Sequence, residues 1–195
     1  MKLILSRHGT TEFNLGRKFY GSTDVSLALA GRQQAELLAS KVAIFKPTLI
    51  IETTLKRTAQ TTAPYIKKYP DVAVLKLAEL NEKGFGNWEG LDADEIQTTY
   101  PEEWLKWLKA PLSYTPPTVE SFSAFKTRVK SGFTKILAEF PEHNVIWVVA
   151  HLGTLRIIAQ ELGEQKDFYD IQFPAGTLTV LDIDTQGCLT NKEII

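Results

Sequence analysis

The sequence predicts an α/β fold, a three-layer α/β/α sandwich around a mainly parallel sheet. Apolar runs of strand length alternate with segments of helical period along most of the chain. The run VIWVVA (145–150) is apolar throughout, as in a strand buried on both faces. No repeat, low-complexity tract or linker divides the 195 residues, so a single domain over 1–195 is expected.

Residues 2–6 (KLILS) read as the first strand. Ala35, Leu38, Ala39, Val42 and Phe45 recur at helical spacing and predict a helix that closes before Pro47. LIIETT (49–54) reads as a second buried strand. Residues 57–68 suit a helix that Pro64 kinks or shortens. VAVLKL (72–77) gives a third strand, and NEKGFGNWEG (81–90), punctuated by glycine and asparagine, a loop. Weaker helical patterning over 92–109 is broken by Pro101, and APLSYTPPT (110–118) is an irregular connector. Residues 84–117 are read together as an insertion covering one end of the sheet. Phe122, Phe125, Val129, Phe133, Ile136, Leu137 and Phe140 share a helical face and predict a helix over 119–140. After the 145–150 strand, residues 152–162 are helical. TLTVLDI (177–183) and the last residues are expected to pair as a hairpin around Gln186-Gly187.

Composition narrows the function. Twenty-two Lys and Arg against 23 Asp and Glu give a net charge of −1, so no global field draws in nucleic acid or an acidic membrane. Affinity for an anion must come from a local cluster. The lone Cys188 cannot form an internal disulfide and fits a reducing compartment. The N-terminal apolar run stops at Arg7, too short for a signal peptide, and no apolar stretch reaches the ~18 residues that span a bilayer. The expectation is a cytoplasmic protein with no nucleic-acid or membrane partner; its oligomeric state stays open.

In a parallel sheet the carboxyl ends of the strands form the ligand crevice. His8 follows the first strand and His151 the 145–150 strand, whereas His143 precedes a strand at the opposite edge. A lone histidine is most often a satisfied structural residue; two at equivalent strand tips are not explained by packing. Arg7 and Arg57 fall at the same end. A guanidinium matches phosphate oxygens bidentately, and the helix beginning near Arg57 would turn its first amides toward the same anion. Surface ion pairs with carboxylates are the bland alternative for either arginine. The four together predict a phosphate site.

These segments resemble the histidine phosphatase, or phosphoglycerate mutase-like, superfamily. LSRHGTTEFN is similar to its signature, TLKRTAQTTAP to its second arginine segment, LNEKGFGNWEG to its acidic loop and VVAHLGTLR to its second-histidine segment. GSTDVSLALAGRQQA (21–35) and YTPPTVESFSAFKTRV (114–129) also resemble the family, in order along nearly the whole chain. The resemblance implies a phosphoglycerate mutase-like fold with a small helical insertion over the active site. It implies His8 as nucleophile and Arg7, Arg57 and His151 as ligands of the phosphoryl oxygens. Glu82 would be the general acid, with Glu79 and Glu89 as rivals, Glu89 having loop anchoring as its alternative. An unperturbed glutamate pKa of about 4.3 means that Glu82 needs partial desolvation for this task. Asn14, the Gly21-Ser22-Thr23 turn and Leu152 would make secondary substrate contacts, and Gly9 would let backbone approach the phosphoryl group.

The chain departs from the pattern at Thr10, where the family usually has Glu or Gln, and at Leu152, where glycine is common. TVES stands in place of the GGES-type segment, and its Glu120 either reaches substrate or caps the following helix. No cofactor and no metal are implied, since no carboxylate–histidine ligand cluster is evident. Residues 91–117 hold only Lys106 and Lys109 as cations beside five carboxylates, which disfavours a second bound anion. Trp88, Tyr100, Trp104, Trp107 and Tyr114 either cover an apolar leaving group or form the insertion's own core. The expected function is hydrolysis of a small-molecule phosphate ester, in the manner of the α-ribazole-5′-phosphate and broad-specificity phosphatases. A 2,3-bisphosphoglycerate-dependent phosphoglycerate mutase is the alternative, and a non-catalytic phospho-ligand binding module the alternative of another class.

Overall fold

The structure, a computed structural model, describes residues 1–140, 143–184 and 188–195. Among them one six-stranded sheet has the order β3-β2-β4-β1-β5-β6. Its strands are β1 (Lys2–Arg7), β2 (Leu49–Glu52), β3 (Ala73–Lys76), β4 (Val145–Ala150), β5 (Thr179–Ile183) and β6 (Leu189–Ile194). β4 pairs in parallel with β1 and β2, and β2 with β3; β5 and β6 add on antiparallel. The Gln186-Gly187 turn of the expected hairpin lies outside the described residues.

Alternation along the strands separates two cores. Ile4, Ile50, Trp147 and Val180 pack with Leu38, Val42 and Tyr65 of α2 (Leu29–Val42) and α3 (Lys56–Lys68). Leu3, Leu5, Ile51 and Val148 pack with Phe125, Val129, Leu155 and Ile158 of α6 (Phe122–Glu139) and α7 (Leu152–Glu161). This is the three-layer sandwich. A third cluster joins Trp88, Ile96, Trp104 and Val119. It is built around α4 (Ala93–Thr99) and α5 (Pro101–Lys109).

Two local departures have physical reasons. α2 begins at Leu29, six residues before its apolar period, because Gly31 is buried in the first turn against backbone and carries no hydropathic signal. A short α1 (Glu12–Leu15) is nucleated by reciprocal bonds between Thr11 and Asn14. Pro64 lies within α3 without ending it. Pro101, by contrast, opens α5, where its missing N–H costs nothing. No described helix is long and apolar enough to cross a membrane.

Candidate active site

Register brings the polar residues together. Arg7 lies opposite Ala150 and Glu52 opposite Val149, so the chain leaves β1, β2 and β4 at one level through His8, Thr53 and His151. The His8 N–H extends the ladder by donating to the Ala150 carbonyl at 3.0 Å.

His8 is 3% exposed, and its Nδ1 lies 2.8 Å from the Gly9 carbonyl. A carbonyl only accepts, so Nδ1 carries the proton and the neutral ring keeps its lone pair on Nε2. Burial, then the charges of Arg57 and Arg7, hold the imidazole well below its usual 6.5, and the Gly9 bond opposes them only in part. Gly9 is fixed in turn, its N–H donating to Thr61 Oγ1 at 3.0 Å. The space for a Gly9 side chain is filled by Gly31, whose carbonyl oxygen would lie 2.5 Å from a Cβ. Contact with α2 therefore excludes a side chain at position 9.

His151 is fully buried, its ring centroid 5.2 Å from that of His8. Arg57 Nε–H donates to its Nδ1 at 3.2 Å, which places the His151 proton on Nε2, 3.0 Å from Thr53 Oγ1. The Thr53 hydroxyl donates to Thr58 Oγ1, 3.1 Å away, and Thr58 donates to the Leu55 carbonyl at 2.8 Å. Burial, then Arg57, His8 and Arg7, also hold His151 well below 6.5.

Arg57 is completely buried, and among the described residues no carboxylate is in hydrogen-bond contact with it. Its Nη1 and Nη2 donate to the Thr23 and Gly21 carbonyls at 2.9 and 2.8 Å, and its guanidinium lies 4.8 Å above the Tyr20 ring. Arg7 presents a buried Nε with no partner among the described residues. An unsatisfied buried donor costs about 1–3 kcal/mol, which a bound anion would relieve.

Glu82 is half-buried. Its Oε1 accepts from the Lys83 N–H and its Oε2 from the Gly153 N–H, both at 2.9 Å. A Cβ on Gly153 would meet Oε1 at 2.5 Å and push the carboxylate from this place. Arg7, Asn14, Glu82, Leu152 and Gly153 line one cavity of about 390 Å³, whose remaining wall is largely aromatic.

Other expected contacts are spent within the protein. The amides of Gly21, Ser22 and Thr23 donate to the Glu89 carboxylate at 3.2, 2.8 and 2.6 Å, as does the Thr23 hydroxyl. Glu89 also accepts from the Phe85 N–H at 3.0 Å, so it anchors loops. Burial pushes its carboxyl up, but the Thr23 hydroxyl and the Phe85, Ser22 and Thr23 amides outweigh burial and hold it below its usual value. At the start of α3 the Lys56 amide donates to Asp24 and the Thr58 amide to the Leu55 carbonyl. Glu120 does not cap α6, a role taken by Ser121, but accepts from the Gly84 N–H and pairs with Arg128. Asn14 serves the Thr11 box and also lines the cavity. Trp88 and Trp104 are buried in their own cluster, whereas Trp107 reaches the cavity.

Sequence reasoning missed Tyr20, Thr53, Lys83 and Arg156. Lys83 lines the cavity 4.6 Å above the Phe85 ring; burial, opposed by Glu120 and Glu82, lowers its ammonium to about 8. Arg156 reaches the same cavity while held by the Ile171 and Tyr169 carbonyls. Its signal was an arginine set among the apolar residues of α7. Among the described residues no three His, Cys, Asp or Glu side chains converge to hold a metal ion.

The model of the histidine phosphatase superfamily (branch 1) matches residues 3–192. The chain belongs to this superfamily. Its members are phosphatases or mutases, and the chain is an enzyme of this kind. It is 30% identical to the adenosylcobalamin/alpha-ribazole phosphatase of Escherichia coli, over 100% of this chain and 90% of that protein. Phosphoserine phosphatase 1 of Hydrogenobacter thermophilus is 31% identical over 80% of this chain and 73% of its own. The structure of the alpha-ribazole phosphatase from Shigella flexneri superposes with a TM-score of 0.90 at 26% identity, covering 97% of this chain and 94% of that one.

Proposed function

We propose that this enzyme hydrolyses a small-molecule phosphate monoester through a phosphohistidine on His8. The observation that carries the reading is the buried neutral imidazole of His8, its Nδ1 proton held on the Gly9 carbonyl beside the buried Arg57 and the buried Nε of Arg7. In the first step Nε2 bonds to phosphorus as the ester P–O bond breaks, and Glu82 gives its proton to the leaving alkoxide. In the second, Glu82 takes a proton from water, whose oxygen displaces Nε2 and releases phosphate. Arg7 and Arg57, with His151 fixed beside them, stabilise the charge on the equatorial oxygens; a rigid cationic site of this kind supplies most of the acceleration. Each Glu82 oxygen accepts one backbone bond and keeps a lone pair for the proton it moves.

Residues 84–117 cover the cavity and choose the leaving group. The aromatic wall, with Phe19, Phe85, Trp107 and Phe168, suits an ester whose alcohol carries a flat, apolar ring system. α-Ribazole 5′-phosphate is such an ester, and the likeness to alpha-ribazole phosphatases supports it. The test is a screen of p-nitrophenyl phosphate, α-ribazole 5′-phosphate, phosphoserine and 3-phosphoglycerate with the wild type and His8→Ala, beside a mutase assay with 2,3-bisphosphoglycerate. α-Ribazole 5′-phosphate should be the best of the biological esters, and His8→Ala should lose at least about a thousandfold in kcat. Equal turnover by His8→Ala would overturn the nucleophile. Faster isomerisation than hydrolysis of 3-phosphoglycerate would make the enzyme a mutase, and binding without turnover would make it a binding module.

A further inference from the structure

Arg128 lies outside the cavity, yet its guanidinium reaches the segment that presents Glu82. From α6 its Nη1 donates to the carbonyls of Glu79 and Asn81 at 2.9 and 2.8 Å, and its Nη2 approaches the Glu82 carbonyl at 3.4 Å. The other edge of the same group forms a two-point pair with Glu120, Nε to Oε1 at 3.1 Å and Nη2 to Oε2 at 2.9 Å. Glu120 Oε2 in turn accepts from the Gly84 N–H at 3.0 Å. One planar cation therefore grips the chain immediately before Glu82 and, through Glu120, two residues after it. From the opposite side α7 holds the segment through Thr154 Oγ1, 3.2 Å from the Leu80 carbonyl, and through the Gly153 N–H on the carboxylate itself. α6 approaches so closely that a Cβ on Gly132 would lie 2.7 Å from the Cβ of Glu79.

We propose that Arg128, with Glu120, is the positioning residue of Glu82: it sets where the proton-transfer carboxylate stands and contacts neither substrate nor phosphate. This rests on reading Glu82 as the proton-transfer group. The rigid fork is essential, because a lysine presents one point charge and cannot span two carbonyls and a carboxylate. A carboxylate displaced by about 1 Å loses its efficiency in proton transfer, while the phosphate cradle on β1, β2 and β4 stays in place.

The leaving group reads this out. A p-nitrophenolate departs without a proton, whereas an alkoxide does not, and kcat/KM covers the step in which the ester bond breaks. Arg128→Lys should lower kcat/KM about 10- to 100-fold for an alkyl phosphate and less than about threefold for p-nitrophenyl phosphate. Glu120→Gln, which leaves Arg128 in place, should show the same selectivity at smaller amplitude, and it carries the test if Arg128→Lys does not fold. In a Glu82→Gln background Arg128→Lys should add almost nothing. Parallel losses on both esters, or additive losses in the double variant, would overturn the positioning role while leaving Glu82 standing. If Glu82→Gln itself fails to separate alkyl from aryl esters, the proton-transfer reading falls, and the role of Arg128 with it.

Discussion

His8, Arg57 and His151 are buried polar groups held by directional bonds, Arg57 to His151 and His8 to the Gly9 carbonyl, whereas Trp88, Ile96 and Trp104 are buried apolar groups joined by contact. In the first region a displaced donor strands an acceptor, so each atom has one place. In the second, ring edges meet ring faces at centroid separations near 6 Å, as between Trp88 and Trp104 at 5.8 Å, and another set of rings could fill the same volume. The strand tips are suited to a fixed chemistry, and the aromatic cluster to a shape that can vary. The cavity lies beside both, lined by Arg7 and Glu82 and by Trp107 and Phe85, which pack against the aromatic cluster.

The comparison breaks most visibly at Arg57. Arg57→Lys should lower kcat/KM about 10²–10³-fold. Stranding the Gly21 and Thr23 carbonyls should also cost about 1–3 kcal/mol in urea unfolding. A loss below tenfold would mean that the strand-tip network tolerates repacking as the aromatic cluster does.

Next comes Glu89→Gln, which removes the charge that four backbone amides share and should destabilise by about 1–3 kcal/mol. The Glu89 carboxyl is held below its usual 4.5, so the unfolded chain binds its proton first as pH falls. The stabilisation is complete above about 4.5 and disappears as pH drops through the lower folded value. The gap between wild type and variant should therefore close in acid; a gap independent of pH would remove the charge from the explanation.

The histidines titrate with a smaller effect. With His8 and His151 held below 6.5 in the fold, the unfolded chain takes protons that the folded chain refuses. Stability should be greatest above 6.5 and decline as pH falls from there toward the folded values. His151→Asn should flatten part of that slope in denaturant titrations across pH 4–8, and an unchanged slope would count against a buried neutral ring. Smallest is Trp107→Ala, which should cost an aromatic ester about tenfold in kcat/KM and leave a small ester nearly unchanged. Equal losses on both would show that Trp107 supports the site as a whole.

Much of this was legible beforehand because strand ends are marked by abrupt changes of residue type. VIWVVA ends at His151, and LIIE ends at Thr53, four residues before Arg57, so the sheet's carboxyl edge could be read directly. Loop anchoring by Glu89 was one of two readings, and geometry selects it. The destination of the Gly21-Ser22-Thr23 amides was not legible, since that needs a carboxylate 66 or more residues away. Nor was the reason for Gly9, because its neighbour Gly31 belongs to a helical turn without an apolar period. Arg128 shares a helical face with Phe125 and Gly132, both buried, and an arginine on that stripe was a signal left unread.

Glu89 sits in the loop that leads into the aromatic cluster, yet its bonds reach back to the turn that holds Arg57. This sets a boundary for exchange between relatives. A chimaera that replaces residues 91–117 should change the leaving group accepted while the Glu89 bonds to the 21–23 turn stay in place. One whose junction falls before Glu89 must bring a compatible 20–24 turn with it, or lose turnover on every ester alike.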